Sequence, residues 1–436
     1  MGENWSAGCE GWRDRPIDNI EAFDGIKQHA VSVGEIEDID TLDDAMYSIL
    51  SGDIIIIIDG FDQFVGVGAK NWPNRGIAEP EGEVTIRGSR EGFTELIRFN
   101  TALLRRRCKD PNLVIKGTKV GKRSQTGIAY AYIKGIVNPN LVDEVERRLN
   151  SIDIDAIVDS GQLEQLIQDN YLTPFPQIQA TERPDKAIAN IFEGRIVIIV
   201  DNSPFALIVP ATFQQFFQSP DDYSERWMFS SAIRFLRWIA SFFAILTSGV
   251  YIAIVSFHPG FIPTDLAISI AASRVTVPFP AFIEAILMEI TIELLREAGA
   301  RLPKPIGSTI SIVGGIIIGD ASVKAGIASP ITVIIVAITA ISSFIIPTYS
   351  LSIAIRMLRF PIMILAGILG LYGVILGFIF IITHLVTLKS FGVDYFTPQA
   401  PIRPSEWRDY IFRLPIQTQK YRPESLNPID NKRKGN

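Results

Sequence analysis

Up to about residue 232 the chain sets short apolar runs between Gly, Pro and charged residues. From 237 to 388 long stretches lack charge and isoleucine dominates, and after Lys389 the chain turns polar and basic. This pattern predicts a soluble α/β N-terminal portion, a multi-span α-helical membrane portion and a short tail. Within the first portion, Ile54 to Ile58 form a continuous β-branched run closed by Asp59-Gly60. A run of that kind reads as a buried strand ending in a turn. Ile196, Val197, Ile198, Ile199 and Val200 repeat the pattern before Asp201-Asn202. A second apolar run follows each, at 64–68 and 205–209. Each pair predicts a β-hairpin, an internal echo.

Between the hairpins, 113–120 and 128–137 alternate as strands around the turn Gly121-Lys122-Arg123-Ser124. Asn138 is placed to cap a helix with Pro139 at its first position, and Leu141, Val142, Val145 and Leu149 form its apolar face. A second helix opens at Ser160, with Leu163, Leu166 and Ile167 expected inward. Two small α/β subdomains are expected, 26–110 and 111–232, meeting between Arg107 and Leu113. A membrane domain over 233–390 and a basic cytosolic tail over 391–436 follow.

The membrane portion is irregular. Residues 238–257 carry no charge and are long enough to cross a hydrocarbon core of about 30 Å. Arg234 and Arg237 precede them, and no Lys or Arg lies in the loop at His258, which puts the N-terminal side in the cytosol. Residues 326–346 and 362–388 read as further spans, and an even number of crossings is expected. Between them, 280–299 is apolar yet carries Glu284, Glu289, Glu293 and Glu297, the last three on one helical face. Carboxylates at membrane depth line water or pair with cations, and Arg296 and Arg301 are the nearest partners. The alternative is an interfacial helix with a solvated acidic face. On the first reading, Glu289 and Glu293 matter more to function than to folding. Residues 306–319 are short for a span. Ser308, Ser311, Gly315 and Gly319 share a face interrupted by Ile312, and Asp320 follows. Such a face serves close packing or lines a pore, with Ile312 as a hydrophobic gate.

Composition narrows the chemistry. Of 436 residues, 47% are hydrophobic and only 20% charged, unlike an ordinary soluble enzyme. The net charge of −6 gives no basis for nucleic-acid binding. Cys9 and Cys108 make neither a disulfide framework nor a zinc module, and His29, His258 and His384 lie far apart. Gly66-Val67-Gly68-Ala69-Lys70 lacks the spacing of a phosphate loop. Glu182, Arg183 and Asp185 form a compact polar loop, expected as an ion-pair knot between the subdomains, with no nucleophile beside it. No catalytic constellation, metal site or cofactor is expected.

Several motifs occur in order. Arg87-Gly88 stands ahead of Glu91-Gly92-Phe93. Phe175-Pro176-Gln177-Ile178 precedes Thr181-Glu182-Arg183-Pro184-Asp185, and Ser219-Pro220-Asp221-Asp222-Tyr223 comes before Arg226-Trp227. Pro278-Phe279-Pro280, Met288-Glu289, Glu293-Leu294-Leu295-Arg296-Glu297, Arg301-Leu302-Pro303 and Ser390-Phe391-Gly392 follow. Together, over about 26–416, they resemble the Ger family of bacterial spore germination proteins, specifically the A subunit of nutrient germinant receptors. The resemblance implies a cytosolic N-terminal region of two subdomains and a multi-pass region in the spore inner membrane. It implies a complex with a transporter-like B subunit and a lipoprotein C subunit, and a homo-oligomeric, nutrient-gated ion channel. A secondary transporter subunit, a structural scaffold and a sporulation-stage paralogue are the alternatives. Two features depart from the family: the first 25 or so residues, and Asp320, where the family often has Gln.

Overall fold

The computed structural model describes residues 36–50, 53–57, 64–67, 76–302, 314–315 and 317–433. The chain divides into two bodies, Met1–Arg75 and Gly76–Asn436.

The first body contains β1 (Ile36–Ile39), α1 (Leu42–Leu50), β2 (Ile54–Ile57) and β3 (Phe64–Val67), in an antiparallel sheet of order β1-β3-β2. The Thr41 hydroxyl accepts the Asp44 N–H at 3.1 Å and so caps α1. Ile39, Ala45, Val65 and Val67 are buried. The expected hairpin is β2–β3, with Ile54 opposite Val67. Residues 68–70 of the glycine-rich stretch, and Cys9 and His29, lie outside the described residues.

The second body opens with α2 (Ile97–Arg107), β4 (Leu113–Val120), β5 (Thr126–Ile133), α3 (Pro139–Asn150) and α4 (Ser160–Ile167). β6 (Gln179–Thr181), α5 (Pro184–Glu193), β7 (Ile196–Val200) and β8 (Ala206–Val209) complete an antiparallel sheet of order β4-β5-β7-β8-β6. β7 sits at its centre. Ile196, Ile198 and Val200 face a core with α3 and α4, while Val197 and Ile199 face one with α2 and α5. Burial on both faces is why its apolar run is continuous rather than alternating. Asn138 caps α3 through Asn140 N, as its sequence predicts. In α4, Leu163 and Ile167 are buried but Leu166 is 45% exposed, against expectation.

The echo extends beyond the hairpins. β6, α5, β7 and β8 follow one another as β1, α1, β2 and β3 do. In both sets the last strand pairs between the other two.

The expected boundary at 107–113 is displaced. Leu103 and Leu104 of α2 are buried with Ala187, Ile191, Val197 and Ile199, so residues 76–110 belong to the second body.

The bundle comprises α6 (Trp227–Phe257), α7 (Thr264–Arg274), α8 (Ala281–Arg301), α9 (Pro330–Phe344), α10 (Tyr349–Leu369) and α11 (Leu371–Thr387). Helical turns also lie at 317–324. Two of these helices, α6 and α10, are long and apolar enough to cross a membrane. α9 and α11 are apolar but shorter. Small residues let α6 approach α10 closely, and a Cβ on Gly249 would lie 2.8 Å from Ile362 Cγ2.

The expected span over 362–388 is two helices rather than one. Gly370 adopts φ +60 and turns the chain between α10 and α11 beside Phe257, at the far end of α6. Both helices are apolar, so no polar residue announces the break.

The chain returns to the α/β core after α11. The Ser390 hydroxyl donates to Gln177 O at 2.7 Å, Tyr395 donates to Pro176 O at 2.6 Å, and Phe391 enters the core beneath α3 and α4. The segment after α11 is a folded part of the second body rather than a free tail.

Candidate functional site

The buried carboxylates of the bundle helices, among the described residues, lie on α8. Glu289 is fully buried. Its Oε1 accepts the hydroxyls of Ser248 from α6 at 2.7 Å and Thr339 from α9 at 3.0 Å, and its Oε2 lies 2.9 Å from Arg359 of α10. Arg359, also fully buried, donates to Glu293 at 3.0 Å, and Arg356 donates to the other oxygen of Glu293 at 2.9 Å. Arg296 reaches Glu293 at 3.3 Å and the Ser343 hydroxyl of α9 at 3.1 Å. One network therefore ties four helices together. Its three guanidinium groups outnumber its two carboxylates. Charge buried at such cost is stable only while it stays paired and hydrogen-bonded.

Glu284, near the start of α8, is also fully buried. It accepts the Ser329 backbone N–H at the capped start of α9 and lies 3.6 Å from Arg274 of α7. Negative charge is favourable at a helix N-terminus. Glu297 is different: its side chain is 62% exposed and pairs with Arg301 at 2.6 Å. The face expected to carry Glu289, Glu293 and Glu297 thus grades from interior to surface.

Arg296 does pair with Glu293, as its spacing anticipates. The partners that sequence reasoning missed, Arg356 and Arg359, lie three residues apart in the part of α10 that the assumed 362–388 span left out. Recognising α10 as a separate helix would have put both arginines inside the bundle. Their position also ties Glu289 to the packing of the bundle. Removing its charge would leave the fully buried Arg359 with Glu293 as its one carboxylate partner among the described residues, so Glu289 bears on folding.

Of the candidate pore face, Ser308, Ser311 and Ile312 lie outside the described residues. A Cβ on Gly319 would meet Val333 of α9 at 3.6 Å, and one on Gly315 would meet nothing within 4 Å. Asp320 is exposed and pairs with Lys324 at 2.7 Å.

Arg183 is 1% exposed. It pairs with Asp185 at 2.8 Å and donates to the Thr85 hydroxyl and to the carbonyls of Glu83 and Ser89. Glu182 accepts the backbone N–H groups of Glu81 and Gly82. The loop therefore clamps 81–89 to the start of α5 within the second body, rather than joining two subdomains.

A further charged cluster holds the start of α6. Asp222 lies 2.7 Å from Arg237 and 3.3 Å from Arg234, and Arg234 reaches Asp409 at 2.7 Å. Asp409 also borders a polar cavity of about 260 Å³ lined by Glu193, Arg195, Gln214 and Glu406. Burial there pushes the Glu193 carboxyl up and pulls the Arg195 guanidinium down from their ordinary values. Among the described residues no group of His, Cys, Asp or Glu is arranged to hold a metal ion.

Residues 13–425 match the family described as Bacillus/Clostridium GerA spore germination protein. The chain is 46% identical to spore germination protein B1 of Bacillus subtilis, over 95% of this chain and 84% of that one. It is 45% identical to spore germination protein GerLA of Bacillus cereus, over 92% and 82%. It is 43% identical to the Bacillus subtilis protein named uncharacterized membrane protein YfkQ, over 93% and 79%. With the family matched over nearly the whole chain, the protein belongs to the GerA family of spore germination proteins.

Proposed function

We propose that this chain is the A subunit of a nutrient germinant receptor in the spore inner membrane, working with a B subunit and a lipoprotein C subunit. In this reading it forms a homo-oligomeric channel that releases small ions when nutrient engages the receptor. The observation that carries it is the buried Glu289–Arg359 network inside a bundle whose outer face is apolar. A scaffold needs no such charges at that depth, whereas a protein that opens a polar path does. The network holds α6, α8, α9 and α10 in a closed arrangement, and opening re-pairs its members. The face of Ser308, Ser311, Gly315, Gly319 and Asp320 borders the path, and Ile312 closes it by dewetting. The entry of α6 and the exit of α11 both meet the α/β core, which supports an even number of crossings with that core in the cytosol.

Purified full-length protein in a planar bilayer tests this reading. Unitary current steps are expected. Saturable solute flux without steps would identify a transporter instead, and folded protein showing neither would be a scaffold. The second reading is a sporulation-stage paralogue of the A subunit. Normal nutrient-triggered germination in spores lacking this chain alone would support it.

A further inference from the structure

Tyr171 and Leu172 are adjacent large side chains that pack on almost nothing; they are 80% and 77% exposed. Their loop is nonetheless held in place. Gln177, itself buried, accepts the N–H groups of Asp169 and Asn170 at 2.9 Å each, and Asn170 Oδ1 accepts Leu172 N–H at 2.9 Å. Asp169 is anchored by Arg148 at 2.7 Å and by the Phe391 N–H at 2.8 Å. An apolar pair presented to water on a fixed frame calls for a covering surface.

The level of this loop on the molecule is set by two helices. Thr173 Oγ1 lies 2.8 Å from Nε2 of His384, in the last turn of α11. The Phe175 ring is 6.2 Å from the His384 ring and 6.0 Å from the Phe213 ring. Phe213 in turn lies 5.9 Å from Trp238, where the uncharged stretch of α6 begins. One aromatic layer thus joins the start of that stretch to the end of α11. Seventeen residues of α11 span roughly 26 Å at 1.5 Å each, close to the ~30 Å hydrocarbon thickness. Outward residues of α11, Ile379 at 54% and Phe380 at 75% exposure, continue as an apolar face towards that layer. Tyr171 is two residues from Thr173, within about 7 Å along the backbone.

We propose that Tyr171 and Leu172 dip into the lipid–water interface and pin the α/β core against the membrane. This rests on the reading that the bundle spans a membrane. The occupant is lipid because the exposed face of α11 leads directly to this level, and because Tyr, with an apolar ring and a polar tip, suits the headgroup boundary.

Nitroxide labels on Leu172→Cys and Tyr171→Cys would test it, in full-length protein with Cys9→Ser and Cys108→Ala, in phosphatidylglycerol vesicles. Phe380→Cys serves as the bilayer control and Arg123→Cys, on the exposed β4–β5 turn, as the aqueous one. Labels at 171 and 172 should be reached by oxygen more than by a nickel chelate, matching 380 in sign and opposing 123. Membrane-type access at 380 with aqueous access at 172 would overturn the anchor and leave the bundle in the bilayer. Aqueous access at both would overturn the membrane reading and the anchor with it. Exclusion of both reagents at 172 would mean that protein, a second copy or a partner, covers the site, and would also overturn the proposal. Tyr171→Trp alone, read by quenching of the added fluorescence with brominated lipid, keeps the test available if the cysteine variants fail to fold: quenching is expected, and its absence would overturn the anchor.

Discussion

The α/β sheet and the helical bundle of the second body both have apolar cores, but only the bundle threads a network of paired charges through its own. Around β7 every inward residue is Ile or Val, with partners above and below, and the hydrophobic gain is spread over many side chains. In the middle of the bundle, α8 meets its neighbours through apolar residues such as Ala285 and Met288 and also through Glu289, Glu293, Arg356 and Arg359. A diffuse core loses stability in proportion to the methylenes removed. A paired-charge core fails when one partner is deleted, because the other is left buried without compensation. The first should lose stability gradually on substitution, and the second abruptly.

The largest test of this contrast is Arg359→Ala. It leaves Glu289 unpaired, and the loss should be about 3–5 kcal/mol, read as reduced abundance in the membrane and a lower Tm in detergent. Replacing the pair together, Glu289→Met with Arg359→Met, should recover most of that stability. If the double variant folds but neither conducts nor supports germination, the charges serve function beyond folding. If Arg359→Ala is as stable as the parent, the contrast is broken.

A smaller effect is expected in the sheet. Ile199→Val removes one methylene from a fully buried site and should cost about 0.5–1.5 kcal/mol, with function at permissive temperature unchanged. A loss as severe as that of Arg359→Ala would show that the sheet is no more tolerant than the bundle.

The smallest effect sharpens the boundary between buried and surface charge. Glu144 on α3 is hydrogen-bonded by Arg147 and then Arg148, which hold its carboxyl down to about 2. A depressed folded value means stabilisation present above the ordinary carboxylate range and lost as pH falls towards 2. The pair is solvent-screened, so the contribution is at most about 1 kcal/mol. Glu144→Gln should flatten the fall in Tm between pH 5 and 3 by that small amount. A larger change would place this pair with the bundle network.

How much was legible in the sequence follows from the same physics. Ile196 to Val200 announced their strand because burial on two faces leaves an uninterrupted apolar run. Asn138-Pro139 announced α3 because capping is local. The body boundary was misplaced because Leu103 and Leu104 look alike whether they pack on the sheet before them or the one after. Arg356 and Arg359 went unassigned because pairing between helices leaves no spacing signal along the chain, and because α10 and α11 merge into one apolar window across Gly370. The carboxylates of α8 and their partners on the same helix, Arg296 and Arg301, were visible, but the partners on α10 were not.

Phe391 and Ser390 close the α/β core from the far side of the bundle in sequence. On the ribosome, β4 to β8 emerge long before these residues do. The place of Phe391 beneath α3 and α4 therefore stays unfilled until α11 has been made and the chain has turned back. Completion of the α/β core becomes a check on the whole bundle. A chain cut short anywhere between α6 and α11 lacks Phe391 and leaves its place beneath α3 and α4 unfilled.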